Sequence, residues 1–153
     1  MRTLFVDLGS VVFLSRWDRL IFVLQQHAHN PIWKNARWEV VRQALMGSRI
    51  IHQFDEGRFT AAEFYKKILA FFDIEPSDLP YREFRRLWCS VNELNKPLAS
   101  LLREIRLQRN PPMAIASNTQ ELHWEGVVRR YYNEVVSLFD TYRYRGKIAG
   151  DLK

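Results

Sequence analysis

A single cysteine, Cys89, stands in a chain of 153 residues. That excludes a disulfide framework and any cysteine-ligated zinc finger. No run approaches the ~20 consecutive apolar residues of a membrane-spanning helix, so no membrane partner is expected. The early apolar stretch Leu4–Leu14 carries Asp7 inside it and is followed by no small-residue cleavage site. It is therefore not read as a signal peptide, and a cytoplasmic location is expected. There is no polybasic run either. Lys and Arg total 23 against 17 Asp and Glu, a net charge of +6, but the arginines are dispersed from Arg2 to Arg145 and interrupted by acids. No nucleic-acid partner is expected; the surplus suits a basic surface that attracts phosphorylated anions. The four histidines lack metal-ligand spacing: His27 and His29 lie two apart and do not share a helix face.

What is present is a globular composition. Hydrophobic residues make up 47% and charged residues 26%, which excludes disorder and collagen-like repeats. Thr3–Asp7 (TLFVD), bounded by Gly9 and Ser10, reads as a buried strand. From Arg16 to Val91 the spacing turns helical. Trp17, Leu20, Ile21, Leu24 and Gln25 recur on one face, then Trp38, Val41, Leu45 and Met46, with breaks at Gly47-Ser48 and Glu56-Gly57. Thr60-Ala61-Ala62-Glu63 is a capping box opening a helix with Phe64, Ile68, Leu69 and Phe71 on its face. Phe84, Leu87, Trp88 and Val91 close the block. Trp17, Trp33, Trp38 and Trp88 are read as its core, Cys89 as a small buried hydrophobe, and Asp55-Glu56 as a solvated turn.

After Asn95, Pro97 opens a helix with Leu98, Leu101, Leu102 and Ile105 inward. Met113–Ala116 is a second buried strand ending at Ser117-Asn118-Thr119, a helix covers about 120–132, and Ser137–Arg145 is a third strand followed by a loop. The order strand, helical block, helix, strand, helix, strand implies an α/β fold: a Rossmann-like parallel sheet with an inserted all-helical cap. Residues 1–14 with 94–153 make the core, and 15–93 the cap.

A parallel sheet carries Asp7, Ser117-Asn118-Thr119 and Lys153 to one rim. One carboxylate, one hydroxyl and one ammonium then meet beneath a lid. That set suits phosphoryl transfer: the carboxylate attacks phosphorus, the hydroxyl and backbone N–H groups hold phosphoryl oxygens, and the lysine offsets the spreading charge.

Val6–Val12 (VDLGSVV), Ala116–Thr119 (ASNT) and Gly150–Lys153 (GDLK) resemble motifs I, II and III of the haloacid dehalogenase-like (HAD) hydrolase superfamily. The nearest pattern is the subgroup with a DLGxV first motif, which includes sugar-phosphate phosphatases. The helical block resembles its C1-type cap, and Glu56–Phe64 the turn and helix start common there. The resemblance implies Asp7 as nucleophile and Mg²⁺ ligand, with the Gly9 carbonyl as a further ligand. It implies Ser117 on the transferring phosphoryl group, Asn118 and Thr119 beside it, and Lys153 paired with Asp7 and the phosphate. Mg²⁺ suits a shell of carboxylate, carbonyl and phosphate oxygens. The implied ligand is a small phosphorylated molecule.

Two departures stand beside it. The family's first motif has a second aspartate two residues after the nucleophile, as general acid and base; here that residue is Gly9. The family's fourth motif, an acidic pair that completes the Mg²⁺ site, has no counterpart up to Lys153, and the strand flanking the first is missing with it. The expectation is a truncated core, a fragment of a longer protein, whose open sheet edge offers a route to a homo-oligomer. Three functions therefore stand: a Mg²⁺-dependent phosphatase forming an aspartyl-phosphate, a non-catalytic HAD-like fragment or assembly module, and a 2-haloacid dehalogenase in which the same aspartate attacks carbon.

Overall fold

The computed structural model describes residues 3–117, 120–144 and 147–149. The chain divides into two units, Met1–Ser15 with Asn92–Lys153, and Arg16–Val91.

In the first unit, strands β1 (Leu4–Val6), β4 (Met113–Ser117), β5 (Thr141–Tyr144) and β6 (Lys147–Ala149) form a sheet in the order β1-β4-β5-β6. β1 and β4 are parallel, as are β4 and β5; β6 returns antiparallel to β5. Met113, Ala114 and Ile115 are buried in succession, the pattern of a strand covered on both faces. β1 differs: Val6 is buried, but Phe5 keeps 68% of its surface exposed. Two crossover helices serve the sheet. α7 (Lys96–Arg109) is capped by Asn95, whose side chain accepts from the Leu98 N–H, carries Pro97 in its first turn, and ends on Asn110 in the left-handed region. α8 (Glu121–Tyr131) links β4 toward β5. The core gathers Val6, Leu8, Val12, Phe13, Leu102, Met113, Ile115 and Val127 with Val135, Val136 and Phe139.

Arg106 ties the loop ends of this unit together. Its guanidinium donates to both carboxylate oxygens of Asp140 at 2.9 and 2.6 Å and to the Pro111 carbonyl at 2.6 Å. Asp140 in turn accepts from the Met113 N–H at 2.9 Å. A bidentate pair of this kind fixes geometry as well as charge.

Two short strands, β2 (Phe13–Ser15) and β3 (Asn92–Leu94), pair antiparallel where the chain leaves for the helical unit and comes back. Ser15 Oγ donates to Asn92 Oδ1 at 3.1 Å, and the Tyr131 hydroxyl donates to the Asn92 carbonyl at 3.3 Å.

The second unit is helical throughout its described residues: α1 (Trp17–His27), α2 (Pro31–Asn35), α3 (Trp38–Gly47), α4 (Ile50–Asp55), α5 (Ala61–Phe72) and α6 (Tyr81–Cys89). The capping box is made in full, with Glu63 N–H donating to Thr60 Oγ1 and Thr60 N–H to the Glu63 carboxylate. Phe54 stacks on Phe64 at 4.0 Å between ring centroids, and Trp88 meets Phe64 edge-on at 4.6 Å. Gln25, buried, donates to the carbonyls of Trp33 at 2.6 Å and Ala36 at 2.8 Å and so fastens α2.

Several expectations are corrected. The third strand begins at Thr141, not Ser137: Val136–Leu138 is a 3-10 turn that buries Val136, and Phe139 is buried just beyond it. Lys147–Ala149, expected within a loop, form β6. Neither β2 nor β3 was expected. Leu101 is half exposed rather than inward, because α7 buries Ala99 and Leu102. Trp38 is exposed and lines, with Phe22 and Gln25, a surface groove of about 620 Å³ beside α1 rather than the core. Cys89 and Phe71 are half-buried.

Candidate functional site

The register of β1 and β4 sets the site. Val6 pairs with Ile115, so Asp7 comes one residue beyond the last pair and Ser117 two residues beyond it. Both lie at the carboxyl rim of adjacent parallel strands. With strands about 4.8 Å apart and a rise of about 3.3 Å per residue, their α-carbons are separated by roughly 6 Å. Asp7 is exposed, and among the described residues it forms no ion pair or side-chain hydrogen bond. Ser117 is half-buried. Asn118, Thr119 and Lys153 lie outside the described residues.

A tight turn follows Asp7. Leu8 and Val12 are buried and anchor it on both sides. The Leu8 carbonyl accepts from the Phe13 N–H at 2.9 Å, and Ser10 N–H donates to the Phe13 carbonyl at 2.9 Å. The Val12 carbonyl accepts from the Asn95 N–H at 2.8 Å, and the Val11 carbonyl from Asn95 Nδ2 at 3.0 Å. Gly9 and Ser10 are exposed on this held frame. A Cβ at Gly9 would meet nothing within 4 Å. The missing carboxylate there is thus a matter of chemistry and not of space.

The far side of the rim contains groups that the sequence did not flag. Gln120 is only 1% exposed, and its Oε1 accepts from the N–H groups of Leu122 at 2.7 Å and His123 at 3.1 Å, capping α8. Its Nε2 is a buried donor with no acceptor among the described residues. Both atoms belong to one carboxamide, so this donor lies at the amino end of α8. Glutamine is not among the preferred cap residues, which hid the cap from a sequence reading. His123 Nε2 is sealed from solvent although the residue as a whole is only half-buried, and burial lowers its pKa from 6.5 to about 4. The ring is therefore neutral at pH 7. No group of three or more His, Cys, Asp or Glu gathers as a metal cage among the described residues. What the rim offers a hard cation among the described residues is the exposed Asp7 carboxylate, an oxygen ligand of the kind Mg²⁺ takes together with water and phosphate oxygens.

No family model matches the chain, and no curated protein matches it. Solved structures do. An HAD family enzyme from Bacteroides thetaiotaomicron, in complex with magnesium and inorganic phosphate, superposes with a TM-score of 0.69 at 21% identity, covering 95% of this chain and 69% of that one. A second structure of that enzyme gives 0.69 at 22% identity over the same shares. Its magnesium complex gives 0.67 at 20% identity, over 95% and 68%. The chain has the HAD-type fold. The HAD-type arrangement here is a parallel α/β sheet with a helical insertion between its first strand and the rest. Among the described residues no helix is long and apolar enough to cross a membrane.

Proposed function

We propose that this chain carries the nucleophile of a Mg²⁺-dependent phosphatase acting on a small phosphate monoester. The observation that carries the reading is Asp7: an exposed carboxylate with no protein partner among the described residues, one step past β1 and beside the end of β4. The likeness of the fold to an enzyme crystallised with magnesium and phosphate supports it. Asp7 attacks phosphorus, the P–O bond to the alcohol breaks, and an aspartyl-phosphate forms; water then attacks it, releasing phosphate and the free carboxylate. Ser117 donates to a phosphoryl oxygen, with Asn118 and Thr119 beside it, and Lys153 offsets charge. Asp7 and the Gly9 carbonyl would hold Mg²⁺, which when bound neutralises phosphoryl charge. The helical unit, inserted in the chain between β2 and β3, serves as the substrate-selecting cap.

The test is phosphate release from p-nitrophenyl phosphate with Mg²⁺. Asp7→Asn is expected to remove it by at least ~10³-fold, since the covalent route is lost. Turnover unchanged in that variant eliminates the mechanism.

One observation favours a second reading, assembly through the sheet edge. Leu4 N–H donates to the Pro112 carbonyl at 2.9 Å, so Leu4 and Val6 spend their main-chain groups on β4. Phe5 then turns its N–H and carbonyl to the open side, with its ring exposed. Beside it, Leu4, Leu101, Ile105 and Pro111 line a groove of about 490 Å³. This edge would pair with the same edge of a second copy.

A further inference from the structure

Among the described residues, four other than glycine hold a positive φ: Ser10 at 59°, Arg49 at 62°, Asp73 at 55° and Asn110 at 42°. Three are explained by helix ends. Asp73 and Asn110 are the C-caps of α5 and α7, and Arg49 follows Ser48, the C-cap of α3. The left-handed conformation is the ordinary way to finish a helix. Ser10 is the exception, since no helix ends there. It sits in the turn between β1 and β2, three residues after Asp7.

A serine in this conformation is normally repaid by a hydrogen bond from its hydroxyl to nearby backbone. Among the described residues Ser10 has none: its N–H reaches the Phe13 carbonyl, while the residue is exposed and its hydroxyl meets no partner there. The turn cannot relax, because Leu8 and Val12 are locked into the core on either side. Glycine would hold the same φ without strain. A strained backbone that the surroundings enforce, at a residue whose side chain does nothing for the fold, is the signature of a side chain kept for a ligand.

We propose that Ser10 is a ligand-contacting residue of the Asp7 site, its hydroxyl donating a hydrogen bond to an oxygen of the bound phosphoryl group. The assignment rests on the phosphatase reading above. Position fits it: Asp7 and Ser10 are both exposed in one turn, the side chain of Leu8 between them is turned into the core, and a Cβ at Gly9 would meet nothing within 4 Å.

The experiment titrates inorganic phosphate into the 153-residue chain with Mg²⁺ by calorimetry, for the parent, Ser10→Ala and Ser10→Gly, with thermal unfolding of each. Both variants are expected to bind phosphate about tenfold more weakly, the usual worth of a hydrogen bond to a charged group. Ser10→Gly should at the same time unfold at a higher temperature than the parent, because the strain is gone. Weaker binding in a more stable protein cannot come from damage to the fold. Phosphate binding within twofold of the parent in both variants overturns the proposal, whatever their stability. Its failure is separable from that of the phosphatase reading: if phosphate binds but Asp7→Asn leaves turnover intact, the nucleophile assignment falls while the Ser10 isotherms still decide the contact. A parent chain that binds no phosphate overturns both.

Discussion

Two buried glutamines show how differently the two units of this chain are finished. Gln25, in the helical unit, spends both hydrogens of its amide on the carbonyls of Trp33 and Ala36. Gln120, in the sheet unit, uses its oxygen to cap α8 and leaves its amide nitrogen buried without an acceptor among the described residues. The same contrast runs through the backbone. Outside glycine, the positive φ angles of the helical unit end helices, whereas the sheet unit spends one on Ser10 in a turn that ends nothing. Local imperfections cost about 1–3 kcal/mol each, so a fold keeps them where they serve something else. In the sheet unit two of them, the Gln120 amide and the Ser10 backbone, follow within three residues of Ser117 and Asp7. In the helical unit Gln25 is fully paired and the aromatic cluster carries the packing.

The largest effect that sharpens this contrast belongs to the helical unit. Phe64 is wholly buried, stacked on Phe54 and edge-on to Trp88. Phe64→Ala removes the ring common to both contacts and is expected to cost about 3–5 kcal/mol in denaturant titration followed by far-UV circular dichroism. A loss below about 1 kcal/mol would show that the aromatic cluster is loosely packed and the contrast wrong.

The next effect is in the sheet unit and depends on pH. His123 has a folded pKa of about 4 against 6.5 unfolded. Between those values the unfolded chain binds the proton and the folded chain does not. Its contribution is therefore complete above pH 6.5 and is lost as pH falls toward 4. A shift of this size is worth up to roughly 3 kcal/mol. Comparing the parent with His123→Gln at pH 7 and pH 4.5 separates this group from the carboxylates that titrate in both proteins. The parent should lose the more stability on acidification. Parallel losses would mean that the ring is solvated in the folded state.

Much of this was legible in the chain because it is local. TLFVD and MAIA are apolar runs bounded by turn formers, and their register brings Asp7 and Ser117 to one rim. The TAAE capping box is a short-range pattern, and both of its hydrogen bonds are present. What the sequence concealed depends on partners distant in the chain. β2 and β3 are three residues each, too short for any periodicity, and exist because Phe13 finds Leu94 and Ser15 finds Asn92. The apolar run before Thr141 looked like strand, but burying Val136 and Phe139 in the core takes a 3-10 turn. Leu101 sits at helical spacing with Leu98, Leu102 and Ile105, and spacing alone cannot tell that Ala99 takes the inner position. The φ of Ser10 and the cap of Gln120 carry no sequence signature, although both concern the site most closely.

The smallest effect on stability is expected at the open edge, where it tests whether β1 is a surface or an interface. Phe5 is 68% exposed, and its main-chain donor and acceptor face away from β4. Replacing it with lysine removes little buried area, so Phe5→Lys should change folding stability by less than about 0.5 kcal/mol. On a strand edge, however, a lysine opposes pairing through both charge and desolvation. If the edge assembles two copies, sedimentation velocity should find the parent moving toward dimer as concentration rises and Phe5→Lys staying monomeric. A parent that stays monomeric across the same range removes the assembly reading, and the exposed ring then marks only the unpaired side of β1. The two results also bear on the site. A second copy paired along β1 would hold the backbone that leads into Asp7, so an assembling edge would couple the position of the nucleophile to concentration, and a silent edge would leave that task to the Leu8–Phe13 turn alone.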